Sequence, residues 1–380
     1  MTEGRKAIVV GAGIGGLTTA LALTRRGWHV EVLERAPETG AAGSGISLWP
    51  NGIRALDTLG LGERVRAAGR IETAGGFRDR TGRWLSVTNT TALTRRYGPL
   101  VAIRRADLFA ILADALPHHT VREGVTVTGV ADRGDGATVF HSRGHCAADL
   151  VVGADGIRSV VRESLWPRAR GPRPAGYTAW RMITSTLDFT PVASETWGRG
   201  ERFGVVPLAD GCAYLFATAN MPEGARAPGG ELAEVRRRFG GWPDPIPAAL
   251  EAVNPDSVLR HDIYDLPALD TFVRGHVALL GDAAHAMSPN LGQGANQALE
   301  DAVTLAAVLD RHPIPSALTD YDHLRRTRTQ HIVRLSRHVG TVAQWSSPTA
   351  TWLRDRAIHL LPSQSMTRGM DRILSWGAPR

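Results

Sequence analysis

The sequence predicts an α/β chain, more fully α+β: a Rossmann-like nucleotide-binding fold interrupted by an antiparallel sheet and closed by C-terminal helices. Three observations predict it. A short apolar strand, Ala7-Ile8-Val9-Val10, runs straight into a glycine loop and then a helix. Two further buried runs end in loops of the same kind: Leu150-Val151-Val152 before Gly153-Ala154-Asp155-Gly156, and Val277 to Leu280 before Gly281-Asp282. Between these runs the chain alternates and turns often, as antiparallel strands do.

The opening unit is a βαβ. Gly11 to Gly16 is its turn, Leu17 to Arg26 its helix, Gly27 the helix stop and Val30-Glu31-Val32-Leu33 its second strand. A glycine-rich loop, Gly40 to Gly45, leads through Ile46-Ser47-Leu48-Trp49-Pro50 to a helix from Gly52 to Leu59. Positions 71–101 read as strands of a second, smaller sheet, Ala106 to Leu116 as a helix, and Val125–Val130 with Ala137–Phe140 as a strand pair. Tyr177–Ile183, Arg202–Val206 and Cys212–Ala219 read as antiparallel strands and Leu232–Phe239 as a helix. Helices follow at Ala295–Leu309 and Ala317–Val339, and 341–380 reads as helical. The expected domains are therefore a discontinuous nucleotide-binding domain (1–70, 101–170 and 270–340), a mixed-sheet substrate domain (71–100 and 171–269) and a C-terminal helical segment (341–380).

The chain's 380 residues are enough for two domains. Its two cysteines, Cys146 and Cys212, are too few for a disulfide framework or a cysteine-rich metal site, and no metal is expected. No apolar run approaches the ~20 residues that cross a bilayer. The first apolar run enters a glycine loop at once, unlike a secretory leader. A cytoplasmic protein with no stable membrane association is expected, as a monomer or homodimer. The basic, partly amphipathic stretch from Thr349 to Trp376 is expected to pack on the nucleotide-binding domain. The net charge of +7 rests almost wholly on arginine, since Lys6 is the only lysine. That bias fits a GC-rich genome, and with it secondary metabolism. It does not point to nucleic acid, for no recognition motif accompanies it.

Gly11-Ala12-Gly13-Ile14-Gly15-Gly16 has the G-x-G-x-x-G spacing between strand and helix. The first glycine makes the turn, the second admits a pyrophosphate, and the third lets helix and strand pack closely. The helix N-terminus offers free N–H groups to the phosphates. Glu34, at the end of the second strand, is placed for ribose hydroxyls, with Arg35 beside it. Asp282, also at a strand end, can accept hydrogen bonds from a polyol chain. Gly292 and Gly294, in Pro289-Asn290-Leu291-Gly292-Gln293-Gly294-Ala295-Asn296, let backbone N–H groups approach a planar ring at a helix start.

The run from Val277 to Asn296 closely resembles the second FAD signature of the group A flavoprotein monooxygenases, the family of para-hydroxybenzoate and salicylate hydroxylases. Gly153 to Arg162 resembles that family's Asp-Gly motif, with Asp155 and Gly156 at its centre and Arg158 and Arg162 as candidate phosphate partners. Ile103-Arg104-Arg105-Ala106-Asp107-Leu108 resembles its FAD-contacting arginine segment, Arg105 holding the arginine's place and Arg104 standing where histidine is frequent. Gly45-Ile46-Ser47 and the Trp180-Arg181 pair extend the likeness over nearly the whole chain.

The resemblance implies a Rossmann-like FAD domain of the para-hydroxybenzoate hydroxylase type. It implies FAD reduced by NADPH or NADH, and O2 delivered to an aromatic-type small molecule through a flavin C4a-hydroperoxide. The FAD ligands it implies lie at Gly11, Gly13, Ile14, Gly15, Gly16, Glu34, Arg35, Gly45, Ile46, Ser47, Arg105, Asp155, Gly156, Gly281, Asp282, Pro289, Gly292, Gly294, Ala295 and Asn296. The substrate would lie over the flavin under the antiparallel sheet, near Arg181, Tyr214 and Pro289. Tyr177, Trp180, Trp197, Arg202 and Phe203 are further lining candidates. Alternation places Tyr177, Ala179 and Arg181 on one sheet face and Trp180 on the other. No histidine lies between His145 and His261, so a histidine base from the middle sheet is not expected, and His285 is expected to be structural. Two rival functions share these motifs: a flavin-dependent reductase or dehydrogenase, and a non-catalytic flavin-binding protein.

Overall fold

The computed structural model describes residues 5–38, 43–89, 91–360 and 370–379. Two sheets organise it. The first has six strands in the order Val273–Arg274, Val277–Leu279, Leu150–Gly153, Lys6–Val10, His29–Leu33, Val121–Arg122. Its four central pairings, from Val277–Leu279 to Val121–Arg122, are parallel. Strands buried on both faces read as unbroken apolar runs, which is how Ala7–Val10 and Leu150–Val152 read. The helix Ile14–Thr24 starts inside the glycine loop, three positions earlier than expected. It packs with the long helix Gly294–Leu309 against the sheet, where Leu17, Leu21, Leu299 and Val303 join one buried core.

The second sheet has seven strands in the order Leu259–Asp265, Arg173–Ile183, Ala213–Asn220, Glu201–Pro207, Ala193–Trp197, Ala74–Asp79, Trp84–Asn89. The expected strands near 71–101 thus hydrogen-bond into the middle sheet, through a parallel pairing of Ala74–Asp79 with Ala193–Trp197. One face is closed by the helices Glu231–Phe239 and Ile246–Glu251, which bury Trp180, Phe203 and Leu215. The other face is left to roof a cavity. Trp180 and Phe203, taken from sequence as lining candidates, belong to the closed face. Trp180 Nε1 donates to Glu231 Oε2 at 2.6 Å, and Phe203 packs on Phe239 with ring centroids 5.3 Å apart.

Thr91–Tyr97, expected as strand, is a short helix with Arg95 and Arg96 in its last turn, where basic charge complements the helix dipole. Of the expected glycine loop at 40–45, positions 40–42 lie outside the described residues. Of the expected C-terminal helices, Pro348–Leu360 and the turns from Met370 are described, and 361–369 lie outside.

Candidate active site

The cavity floor is built from strand ends and helix starts. Gly11 has φ +99°, and a Cβ there would lie 2.6 Å from the Ala154 carbonyl oxygen. A Cβ on Gly16 would lie 1.9 Å from the Gly11 oxygen, so both glycines serve close packing. Gly13, Gly156 and Gly294 differ: a Cβ on any of them meets nothing within 4 Å. They border open space beneath the N-termini of Ile14–Thr24 and Gly294–Leu309. A cradle of bare backbone at two helix starts fits a pyrophosphate at one and an electron-rich ring at the other. The residues present therefore fit FAD.

Glu34 closes the first loop. Its Oε2 accepts from Ala12 N at 2.7 Å and its Oε1 from Ala36 N at 2.9 Å. Arg35 beside it is exposed, and neither residue lines the cavity. Asp155 accepts from Ser159 Oγ at 2.5 Å and from Val161 N at 3.2 Å, so it caps the turn that follows its strand. Burial raises its pKa against those hydrogen bonds. Arg162 is no phosphate partner here. It is buried and donates to the Ala283 oxygen at 2.9 Å and the Ile157 oxygen at 2.6 Å, stapling two strand-end loops. Arg158 stays exposed.

The Gly281 turn is held from behind. Gly281 N donates to Asp301 Oδ2 at 2.9 Å, His285 Nε2 lies 2.6 Å from the same oxygen, and Arg325 Nε donates to Asp301 Oδ1 at 2.6 Å. Burial alone would raise the Asp301 pKa, but His285 and Arg325 outweigh it and hold the carboxylate at about 2. Asp282 is thereby turned toward the cavity. Asn296, expected to touch the cofactor, is fully buried and spends its amide on protein: Oδ1 accepts from Trp49 N at 2.9 Å, and Nδ2 donates to the Gly292 oxygen at 2.8 Å and the Ser47 oxygen at 3.2 Å. It clasps the Gly45–Leu48 strand to the Gly292 loop. Gly45, Ile46, Ser47, Pro289, Gly292 and Ala295 do line the cavity.

The two neighbouring arginines separate. Arg104 binds Asp210 through Nε at 2.9 Å and Cys212 Sγ at 3.2 Å. Arg105 lines the cavity, where desolvation lowers its pKa while Asp282 opposes the shift.

The roof is the free sheet face. Alternation brings Ala179 and Arg181, Tyr214 and Phe216, and Arg202 and Val206 to it from three adjacent strands. Burial raises the Tyr214 pKa, opposed by the adjacent Arg181. Arg202 is fixed by Gln344 Oε1 at 2.9 Å, Glu195 Oε1 at 3.0 Å and Asn290 Oδ1 at 2.9 Å. Asn290 Oδ1 also accepts from the Tyr177 hydroxyl at 3.2 Å, so the Pro289–Leu291 turn is latched to the roof. Neither Asn290 nor Glu195 was singled out from sequence. Pro289, beside Asn290, is the one neighbour expected near the sheet.

The expectation that the middle sheet supplies no histidine is overturned. Leu259–Asp265 joins as an edge strand with His261 opposite Ala179, and His261 lines the cavity. Desolvation, then the charges of Arg181 and Arg105, lower its pKa below the ordinary 6.5. His285, by contrast, is buried on Asp301, as its structural expectation requires.

Floor and roof enclose one continuous space of about 1450 Å³. A site for one drug-sized ligand takes roughly 300–1,000 Å³, so this cavity has room for two occupants. Among the described residues no group of three or more His, Cys, Asp or Glu could hold a metal, and no helix is long and apolar enough to cross a membrane.

Comparison with known proteins agrees with this geometry. Residues 5–336 match the family model described as FAD binding domain. The chain is 38% identical over 371 residues to an aurachin C monooxygenase/isomerase of Stigmatella aurantiaca, covering 96% of each protein. It is 34% identical over 380 residues to the 2-heptyl-3-hydroxy-4(1H)-quinolone synthase of Pseudomonas aeruginosa, covering 97% of each. The crystal structure of Klebsiella pneumoniae HpxO complexed with FAD and uric acid superposes with a TM-score of 0.91 at 31% identity, over 97% of this chain and 96% of that one.

Proposed function

The chain belongs to the FAD-binding family of flavoprotein monooxygenases, and we propose that it inserts one atom of O2 into an aromatic or heteroaromatic ring, taking electrons from NADPH or NADH. The observation that carries this reading is the single cavity in which Arg181, Tyr214 and His261 face the glycine cradle and Asp282. Two relatives named for a monooxygenase and a quinolone synthase, and a structural neighbour holding uric acid, support a ring substrate.

Bound FAD would supply reduction by the nicotinamide donor and activation of O2. The rest falls to the chain. Backbone N–H groups of Gly13 to Gly15 would hold the pyrophosphate, Asp282 the ribityl hydroxyls, and the N-terminus at Gly294 and Ala295 the electron-rich edge of the ring. Arg181 would pair with an oxygen of the substrate ring. Tyr214, kept protonated by burial, would donate a hydrogen bond to the same region. An imidazole nitrogen of His261, its pKa lowered by desolvation and then by its cationic neighbours, would accept the proton of a ring hydroxyl, making the ring more electron-rich at the carbon to be attacked. The roof and Pro289 exclude water from the space between.

The test is NAD(P)H oxidation and O2 uptake by the purified yellow protein across phenols, aromatic acids, indoles and quinolones. A ring ligand should accelerate both. Ligand-driven NAD(P)H oxidation with no oxygen in the product would favour a reductase instead. Failure to take up FAD would overturn the whole account.

A further inference from the structure

Glu300, fully buried on the helix Gly294–Leu309, gathers polar partners that the site described above does not use. Asn51 Nδ2 donates to Glu300 Oε1 at 2.7 Å and to Gln293 Oε1 at 3.0 Å, which ties the carboxylate to the residue between Gly292 and Gly294. Arg325 Nη1 donates to Glu300 Oε2 at 2.5 Å, while its Nε holds Asp301, the anchor of the Gly281 turn. Arg328 grips the same carboxylate through Nε at 2.8 Å and Nη2 at 2.9 Å. Its guanidinium also reaches outward. Nη1 donates to the Arg372 oxygen and Nη2 to the Ile373 oxygen, each at 2.7 Å, and Arg54 Nη2 donates to the next oxygen, that of Leu374. The last carbonyls of a helical turn have no partner within it, and cations suit that end. Arginines from the helices Ile314–Ala343 and Pro50–Thr58 thus hold the turn at 370–374 by three successive carbonyls.

That turn has two faces. Met370 and Leu374, four positions apart, line the cavity, and Arg372 and Ser375 on the other side are exposed. The turn therefore stands between the cavity and solvent. We propose, resting on the monooxygenase reading above, that it is an outer wall of the flavin cavity and that Arg328 is the positioning residue that holds it. Arg328 does not line the cavity itself. It acts by bridging the wall to Glu300, the carboxylate that also ties down both flavin-side loops. With the wall in place, water is kept from the space where oxygen is transferred. With the wall displaced, electrons from the reduced flavin pass to O2 without a substrate: one NAD(P)H and one proton are consumed, and one hydrogen peroxide is released, for each O2.

The test is Arg328→Lys in the full chain. Lysine keeps a cation beside Glu300 and loses the planar fork that reaches both carbonyls. Hydrogen exchange of residues 370–376 is followed by mass spectrometry in the FAD-free and FAD-loaded protein. Kd of the ring compound that most accelerates NAD(P)H oxidation is read from flavin absorbance, and hydrogen peroxide is counted per NAD(P)H oxidised. Losing hydrogen bonds to a charged donor should speed exchange at 370–376 on the order of tenfold in both forms. Kd of the ring compound and the peroxide fraction should rise together, while the rate of flavin reduction at saturating ring compound stays within about twofold of wild type. If Arg328→Lys does not retain FAD, Arg54→Lys releases the Leu374 oxygen, leaves the bonds of Glu300 in place, and should give the same pattern. Unchanged exchange would show that the arginines do not hold the turn, and faster exchange with unchanged Kd and peroxide fraction would show that the turn is no wall; either overturns the inference. Peroxide as the sole product of the wild type, with exchange and Kd responding as stated, would support the wall and overturn the monooxygenase reading.

Discussion

The ring of Tyr214 lies against the bare Cα of Gly45: a Cβ at position 45 would sit 2.5 Å from both Cβ and Cγ of the tyrosine. This contact joins the roof to the floor beside the cradle. Gly45→Ala should force Tyr214 out of place at about 1–3 kcal/mol, the usual cost of overpacking. Weaker FAD binding and lower kcat/KM are expected. Combining it with Tyr214→Gly, which removes the opposing Cβ as well as the ring, should cost less than the two losses summed. A strictly additive double mutant would show that the contact is not the cause.

Asp301 is a buried anchor for the flavin-side turn, accepting from Gly281, His285 and Arg325. Removing one partner of a buried pair costs about 3–5 kcal/mol, so Asp301→Ala should lower Tm and release FAD. The pH dependence has a definite sign. The folded pKa of about 2 lies below the ordinary 3.8, so the carboxylate stabilises the fold fully above pH 4 and loses that contribution as pH falls toward 2. Urea midpoints across this window should fall more steeply for the wild type than for Asp301→Asn. Parallel curves would remove Asp301 from the acid response.

His261 lies in the roof on the strand next to that of Arg181, and burial first, then the charges of Arg181, Arg105, Arg226 and Arg260, disfavour its protonation. Its pKa is therefore lowered, and the neutral imidazole persists at pH values where an ordinary histidine is charged. If it accepts the substrate proton, kcat/KM should fall only below the ordinary histidine range. His261→Gln should erase that limb and cost roughly 10²–10⁴-fold. A substrate already ionised at the ring hydroxyl should be affected far less. An unchanged pH profile in the variant would exclude this role.

Arg104 and Arg105 are adjacent in sequence and divided in space. Arg105→Ala should weaken FAD binding by about 1.5–3 kcal/mol, the range for a hydrogen bond to a charged group. Arg104→Ala removes a partly exposed pair with Asp210, worth about 0–1 kcal/mol, and should leave FAD affinity near wild type. Flavin titration of the two variants distinguishes them, and the reverse order would contradict the assignment.

The floor was readable because its chemistry is local. Ala7–Val10, Leu150–Val152 and Val277–Leu280 are continuous apolar runs ending in glycine or aspartate, and the loops after them carry their function in their spacing. The roof was readable only in part. Arg173–Ile183 and Ala213–Asn220 alternate visibly, but Leu259–Asp265 does not, because both faces of that edge strand carry polar partners. Arg260 Nη2 binds Asp262 Oδ1 at 2.7 Å on one side, and His261 meets the cavity on the other. With no apolar alternation to mark the strand, its histidine was left out of the expected site. Asn296 shows what the motif alone does not reveal, the work of its side chain. Its place in the motif suggested a cofactor contact, while its three hydrogen bonds run to segments distant in sequence.

The most direct measurement is a single turnover under ¹⁸O2. The FAD-loaded protein is reduced anaerobically with NADPH or NADH in the presence of the ring compound that most accelerates reduction, then mixed with ¹⁸O2, and the product is weighed by mass spectrometry. The account predicts one ¹⁸O atom in the product, on the ring. Flavin reoxidation that yields only hydrogen peroxide, with unlabelled compound recovered, would contradict it.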